Sequence, residues 1–238
     1  MRSSRSVPNR RDPLQPGPRG FAHRGRHGPP LVENSLAAAA AAMEMGAGME
    51  CDVRLTADGE LVVFHDADAV RLTGESRIVR HSTLADLRAL DVGGRPIPTL
   101  AELLVLIGGR VPLLVEAKSD PRRGEYCRAL ASTLAGYRGA VGLMSFDPWL
   151  VAWIRHKLPE ARRGLVIRDR LGPVRRWLAI RLARPHFLAV ETSALPRLWV
   201  RRVRARMPVY SWTVTTAKQR QALAPLADAL IWEGDGRP

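Results

Sequence analysis

Charged residues at a spacing of two mark two short segments of the chain. Glu50 and Asp52 lie two positions apart, as do Glu116 and Lys118. In an extended strand, residues two apart point to the same face, so each pair presents its charges together. A single pair of this kind most often indicates a strand face that is exposed to solvent. Three carboxylates that converge are costly to bury unpaired, and a hard divalent cation, Mg²⁺ or Ca²⁺, offsets that cost by taking oxygen ligands. The spacing predicts a cation site at Glu50, Asp52 and Glu116.

Two histidines and two cationic residues complete a set suited to phosphoryl transfer. His23 lies in the segment FAHRGRHG and His65 in VVFHD, each near the end of a strand-like run. Two imidazoles near a cation site suit a general acid and a general base. Arg24 offers a bidentate fork for phosphate oxygens, and Lys118 offers a point charge. Phosphoryl transfer depends mainly on such positioning and charge neutralisation. His27 lies farther along, in a loop beside Gly-Pro-Pro, and is expected at the surface.

Eight β-like runs alternate with helical patterns or long connections and must position these side chains. The runs cover residues 20–25, 49–56, 111–118, 141–146, 163–167, 187–192, 208–214 and 229–233. A further run at 60–66 follows an Asp-Gly turn and is expected to form a hairpin arm. Asn34 or Ser35, Thr99 and Asp147 are expected to cap helices. The alternation predicts an α/β TIM-type (β/α)8 barrel, with chemistry at the carboxyl ends of its strands.

Composition sets the class of protein. The 238 residues are 46% hydrophobic and 25% charged, which excludes a wholly disordered, collagen-like or disulfide-scaffold chain. Residues 1–19 are basic and rich in Pro and Ser, and are expected to form a disordered tail before one barrel domain at 20–238. No apolar run resembles a secretory signal or a membrane span, and two cysteines form no disulfide framework. We therefore expect a cytoplasmic protein.

The segments AHRG, ECDVRLTADGELVVFHD, VEAK and SWTV, in this order and spacing, resemble the glycerophosphodiester phosphodiesterase family. The resemblance extends from Phe21 to about Glu233. It implies a TIM barrel that hydrolyses glycerophosphodiesters to glycerol 3-phosphate and an alcohol. It also implies that a glycerol hydroxyl attacks phosphorus first and that water then opens a cyclic phosphate.

The resemblance also implies roles for individual residues. It implies that one Mg²⁺ or Ca²⁺ ion is held by Glu50, Asp52 and Glu116. It implies that His23 and His65 exchange protons with the reacting oxygens. Residues implied to hold phosphate or the rest of the substrate are Arg24, Lys118, Glu33, Asn34, Trp212 and Glu233.

Two departures from the family pattern lie at the end of the chain. Trp232-Glu233 stands where the family usually has Thr-Asp. A bulky indole and a longer acid are expected to alter the pocket wall and the range of substrates. The chain stops five residues after Glu233, so the barrel is expected to lack its final helix. The tail or an oligomer contact would then cover the gap.

The charge of the chain leaves alternatives open. The formal net charge is +14, and residues 155–206 contain 15 of the Lys and Arg residues against three acidic ones. Residues 168–206 form either an amphipathic segment that contacts anionic lipid or an ordinary outer helix with a solvated face. One alternative function is therefore a related phosphodiesterase that acts on lysophospholipids or lipid headgroups at a membrane surface. Another is a non-enzymatic anion-binding module. No basic segment interleaved with aromatic residues suggests nucleic-acid binding. The leaving alcohol, the metal and the oligomeric state stay open.

Overall fold

A closed barrel forms the centre of the computed structural model, which describes residue 14 and residues 16–238. Strands in the described residues are β1 (Phe21–Ala22), β2 (Gly48–Leu55), β3 (Leu61–Val63), β4 (Leu113–Ala117), β5 (Val141–Ser145), β6 (Arg162–Ile167), β7 (Phe187–Glu191), β8 (Val209–Val214) and β9 (Ala229–Trp232). All except β3 run parallel, and β1 closes the barrel by pairing with both β2 and β9. The predicted (β/α)8 barrel is confirmed.

Helices cover the outside of the barrel between its strands. They are α1 (Leu36–Glu44), α2 (Val70–Thr73), α3 (Leu84–Arg88), α4 (Leu100–Ile107), α5 (Arg123–Leu134), α6 (Pro148–Lys157), α7 (Pro173–Ala183), α8 (Leu198–Arg204) and α9 (Ala217–Leu223). The side chains of Ser35, Thr99 and Asp147 accept the first backbone N–H groups of α1, α4 and α6. Of the two caps predicted for α1, Ser35 is therefore the correct one. None of the helices in the described part of the chain has the length and apolar content to cross a membrane.

Alternation along the strands divides the core into an inner and an outer part. Inner side chains such as Phe21, Leu114 and Phe187 fill the barrel, whereas Cys51 and Val53 pack outside against the helices. This is the arrangement expected when strand residues point alternately to two faces. The inner apolar layers lie toward the start of the strands, so the polar residues that follow lie at their carboxyl ends.

The first strand is shorter than its sequence pattern predicts. A strand over residues 20–25 is expected, but β1 ends at Ala22. Arg24 and Gly25 have φ angles of 55° and 78°, a left-handed conformation that ends the extended backbone. His23 and Arg24 therefore lie in a turn at the mouth of the barrel.

The connection between β2 and β4 carries a small hydrophobic core of its own. It contains the antiparallel arm β3, which pairs Val63 with Val53 as the hairpin signal predicts, followed by α2 and α3. Val62, Phe64 and Leu87 belong to a cluster separate from the barrel interior. This core fixes the segment after β3, which positions His65.

The last strand is followed by a 3₁₀ turn at Gly234–Gly236. Trp232 packs against the outer face of the barrel, and its indole N–H donates to the Arg19 carbonyl at 2.7 Å. The Arg220 guanidinium donates to the Pro18 carbonyl at 2.6 Å. The segment before β1 thus packs against the last strand and α9.

Part of the segment predicted to be a tail contacts the barrel. Residues 1–13 and 15 lie outside the described residues, but Leu14 is fully buried in the inner core. Gly17–Arg19 forms a 3₁₀ turn. Leu14 therefore fills an apolar site in the barrel. The domain boundary at residue 20 stays a prediction.

Candidate active site

Three buried carboxylates meet at the carboxyl end of β2 and β4. Asp52 lies opposite Glu116 in the parallel register, and Glu50 is two residues before Asp52 on the same face. One oxygen from each carboxylate lies within 4.8 Å of the others, and all three side chains are buried. The predicted juxtaposition is therefore present in the structure. Such a cluster could hold one metal ion.

The electrostatics of the cluster fit a cation. Burial, together with the neighbouring charge of Asp52, raises the pKa of Glu50 to about 8. Burial also raises the pKa of Glu116. Burial acts in the same direction on Asp52, but the charges of Lys118 and Arg24 outweigh it and hold the pKa of Asp52 below its usual value. Ionising all three groups needs more positive charge than these two residues supply. A donor set made only of oxygens suits a hard divalent cation.

Lys118 and Arg24 bracket the carboxylates from two sides. The Lys118 ammonium lies 2.6 Å from Asp52 Oδ1 and also contacts Glu116. Arg24 Nε lies 3.0 Å from Asp52 Oδ2, and the Arg24 backbone N–H donates to Glu50 at 3.0 Å. The left-handed backbone of Arg24 allows both contacts from one residue. Both cationic groups are therefore positioned at the cluster, as the sequence predicts.

Each of the two predicted catalytic histidines has a carboxylate on its Nδ1 atom. His23 Nδ1 lies 2.8 Å from Glu233, and His65 Nδ1 lies 2.7 Å from Asp66. Burial alone would lower the pKa of His23, but the hydrogen bond with Glu233 and the charge of Glu50 raise it. Burial lowers the pKa of His65. A carboxylate on Nδ1 fixes the imidazole ring and leaves Nε2 for the cavity.

His27 is partly buried, so its predicted surface position is wrong. Its side chain is 23% exposed, and Nε2 lies 3.6 Å from the Glu233 carboxylate that also binds His23. The reason is that the loop after β1 folds back over the end of β9. His27 lines a separate cleft with Trp232 and Glu233 and does not line the cavity above the three carboxylates.

Glu33 and Asn34 lie behind the site. The Asn34 amide donates to Asp52 at 3.0 Å, and its carbonyl oxygen accepts the Asp52 backbone N–H. Glu33 accepts from Arg24 at 2.9 Å and from Arg71 at 2.7 Å. Neither residue lines the cavity. Their contacts position Arg24 and Asp52.

A cavity of about 670 Å³ opens above the carboxylates. Its wall includes the predicted residues His23, Arg24, Glu50, His65, Glu116, Lys118 and Trp212. It also includes Arg54, Phe146, Arg168 and Arg170, which sequence reasoning missed. The strand alternation could have found three of them, because each continues the inner face of a strand: Arg54 after Asp52, Phe146 after Met144, and Arg168 after Val166.

Comparison with known proteins identifies the family. The model of the glycerophosphoryl diester phosphodiesterase family matches residues 19–232. The chain belongs to this family. It is 32% identical over 211 residues to a glycerophosphodiester phosphodiesterase of Caldanaerobacter subterraneus, with 82% of this chain and 84% of the relative covered.

Solved structures of the family have the same fold. A glycerophosphodiester phosphodiesterase from Thermotoga maritima aligns with a TM-score of 0.76 at 26% identity, covering 89% of this chain and 92% of that one. A phosphodiesterase from Oleispira antarctica, solved with the product sn-glycerol-3-phosphate, aligns with a TM-score of 0.78 at 24% identity. That alignment covers 90% of this chain and 91% of the other.

Members of this family are phosphoric diester hydrolases, and the chain is an enzyme of this class. The alternative of a non-enzymatic anion-binding module is thereby excluded. The family depends on divalent metal, in keeping with the acidic cluster described above.

Trp232 and Glu233, which stand where the family usually has Thr-Asp, do not form the pocket wall as the sequence predicts. Trp232 points away from the cavity into the outer shell, so its predicted place in the pocket wall is wrong. Strand alternation explains this, because Ile231 takes the inward position. Glu233 is the next inward residue, and it reaches His23 from behind the cavity.

Proposed function

We propose that this enzyme hydrolyses glycerophosphodiesters to glycerol 3-phosphate and an alcohol, with one Mg²⁺ or Ca²⁺ ion held by Glu50, Asp52 and Glu116. The observation that carries the proposal is the convergence of these three buried carboxylates, with one oxygen of each within 4.8 Å of the others, beside a cavity lined by Glu50, Glu116, His23 and His65. The bound ion would act as a Lewis acid on the phosphoryl oxygens.

Arg24 and Lys118 bind the phosphate in this proposal. Both line the cavity beside the carboxylates, and both stay protonated because neighbouring carboxylates raise their pKa values against the effect of burial. Asn34 and Glu33 hold Asp52 and Arg24 in place. Fixed positive groups of this kind neutralise charge on the phosphoryl oxygens without reorganising during the reaction.

His23 and His65 transfer the protons. A glycerol hydroxyl forms a bond to phosphorus, and its proton passes to one imidazole. The bond from phosphorus to the leaving alcohol breaks, and that oxygen takes a proton from the other imidazole. Water then opens the cyclic phosphate with the two roles reversed. An internal nucleophile favours this route because it needs no separate binding event.

The experiment is a panel assay for glycerol 3-phosphate release from glycerophosphocholine, glycerophosphoethanolamine and glycerophosphoglycerol. EDTA should abolish release, and Mg²⁺ or Ca²⁺ should restore it. Release that persists in EDTA-treated protein would contradict the metal assignment. Absence of release from every diester, with metal present, would contradict the substrate assignment.

A second candidate function is hydrolysis at an anionic membrane surface. Apolar side chains are exposed on three consecutive helices: Trp149 and Trp153 on α6, Val174, Trp177 and Leu178 on α7, and Leu198 on α8. Three of these six, Trp149, Val174 and Leu198, lie within the first two residues of their helices. Helices of the barrel begin on the face where the cavity opens. The surrounding segment is strongly basic, so an anionic lipid surface is the complementary partner.

Sedimentation with phosphatidylglycerol vesicles tests this second candidate. Binding should fall as salt rises, and both Trp177→Ala and the double reversal Arg175→Glu/Arg181→Glu should weaken it. Arg128→Glu, at an exposed position on α5, is the control. Absence of vesicle binding at low salt would contradict this second candidate and leave hydrolysis of water-soluble diesters as the proposed function. A cytoplasmic location stays a sequence-based prediction.

A further inference from the structure

Two arginines that have no carboxylate partner among the described residues line the cavity on the segment after β6. Arg168 and Arg170 both have exposed side chains, and neither forms an ion pair with another described residue. Asp169 between them is already bound, because the Arg197 guanidinium donates to its carboxylate at 2.7 Å. Its backbone N–H donates to Glu191. Two guanidinium groups are therefore free to bind an anion from the cavity.

Among the described residues, the wall beside these arginines is formed by the aromatic rings of Phe146 and Trp212. The Arg168 guanidinium lies over the Phe146 ring at 5.1 Å, and Phe146 contacts Trp212 edge-to-face at 5.4 Å. This stacking restricts the Arg168 side chain. It also places positive charge over the face of the Phe146 ring, where a quaternary ammonium group would otherwise bind. In the described part of the chain, the acidic residues that line the cavity are Glu50 and Glu116, which belong to the cation cluster.

We propose that Arg168 and Arg170 bind an anionic group, a phosphate or a carboxylate, on the alcohol moiety of the diester. Guanidinium groups match the geometry of both anions. The enzyme then prefers glycerophosphodiesters whose alcohol carries a negative charge over those with a neutral or cationic alcohol. This inference rests on the proposed function, because it assumes that the diester phosphate lies at the carboxylates.

Two matched substrate pairs test the preference. Glycerophosphoserine differs from glycerophosphoethanolamine by one carboxylate, and glycerophosphoinositol 4-phosphate differs from glycerophosphoinositol by one phosphate. The anionic member of at least one pair should have a kcat/KM about tenfold higher at low salt, the effect of one charge-assisted hydrogen bond. The ratio should shrink as salt rises. A preference confined to one pair supports the proposal and identifies the anion.

Variants separate this site from general attraction by a basic protein. The double variant Arg168→Gln/Arg170→Gln should bring the ratio within each pair close to one. Arg128→Gln removes the same kind of charge from an exposed position on α5 and should leave the ratio at its wild-type value.

Three outcomes would overturn the inference: equal kcat/KM within both pairs, preference for the members that lack the added carboxylate or phosphate, or an unchanged ratio in the double variant. In each of them the diesters are still hydrolysed, so the proposed function survives. Failure to hydrolyse any of the four diesters would contradict the proposed function itself.

Discussion

Replacing Leu14 by alanine tests whether the segment before β1 belongs to the folded unit. Leu14 is fully buried in the inner core with Phe21, Leu114 and Phe187. The site is shaped for it, because a Cβ atom on Gly142 would lie 2.6 Å from Leu14 Cδ1. The side chain fills the end of the barrel opposite the cavity.

The structure sets the size of the effect. Truncating a fully buried leucine costs ~2–5 kcal/mol, because the apolar contacts are lost and the cavity closes only in part. A mid-range loss of about 3 kcal/mol corresponds to a fall in Tm of roughly 6–12 °C for a chain of this size. Below the transition the variant should still hydrolyse diesters, because the carboxylates lie at the other end of the strands.

The assay is thermal unfolding followed by far-UV circular dichroism. Leu178→Ala is the matched control, since Leu178 is 53% exposed on α7 and its loss should change Tm by only about 1–2 °C. Equal Tm values for Leu14→Ala and Leu178→Ala would refute the assignment of Leu14 to the core. That result would support the disordered tail that the composition of this segment predicts.

Two further predictions concern the histidines. His23→Ala and His65→Ala should each slow turnover of a glycerophosphodiester by ~100-fold or more. A substrate with a p-nitrophenyl leaving group should restore turnover only in the variant that lacks the proton donor, because this leaving group needs no proton. His27→Ala should change turnover far less than either substitution. An essential His27 would contradict these roles. Glu233→Gln should shift the limb of the pH–rate profile that reports His23 to lower pH, because the hydrogen bond with Glu233 raises the pKa of His23. An unshifted limb with unchanged kcat would show that Glu233 does not position His23.

Strand periodicity predicted much of this molecule because a barrel repeats one local rule. Alternation along β2 and β4 places Glu50, Asp52 and Glu116 inside, and parallel pairing brings Asp52 opposite Glu116. The same rule, applied one step farther along the strands, points to Arg54 and Arg168. They were missed because arginine on a basic chain resembles ordinary solvated charge.

Features that depend on contacts between distant segments could not be predicted from local pattern. Leu14 lies in a segment whose composition indicates disorder, and its burial depends on space left by Gly142 more than a hundred residues away. His27 was expected at the surface because nothing in its loop shows that Glu233 lies beside it. Trp232 was assigned to the pocket although alternation from Ile231 places it outside.

The most direct test of the central claim is calorimetric titration of EDTA-treated protein with Mg²⁺ and Ca²⁺, with glycerol 3-phosphate release measured on the same samples. We predict one bound ion per chain and activity that rises with occupancy. Glu50→Gln, Asp52→Asn and Glu116→Gln should each weaken metal affinity by at least ~10–100-fold, since losing even an outer partner of a ligand has that effect. Wild-type metal affinity in all three variants, or full activity without metal, would contradict the account.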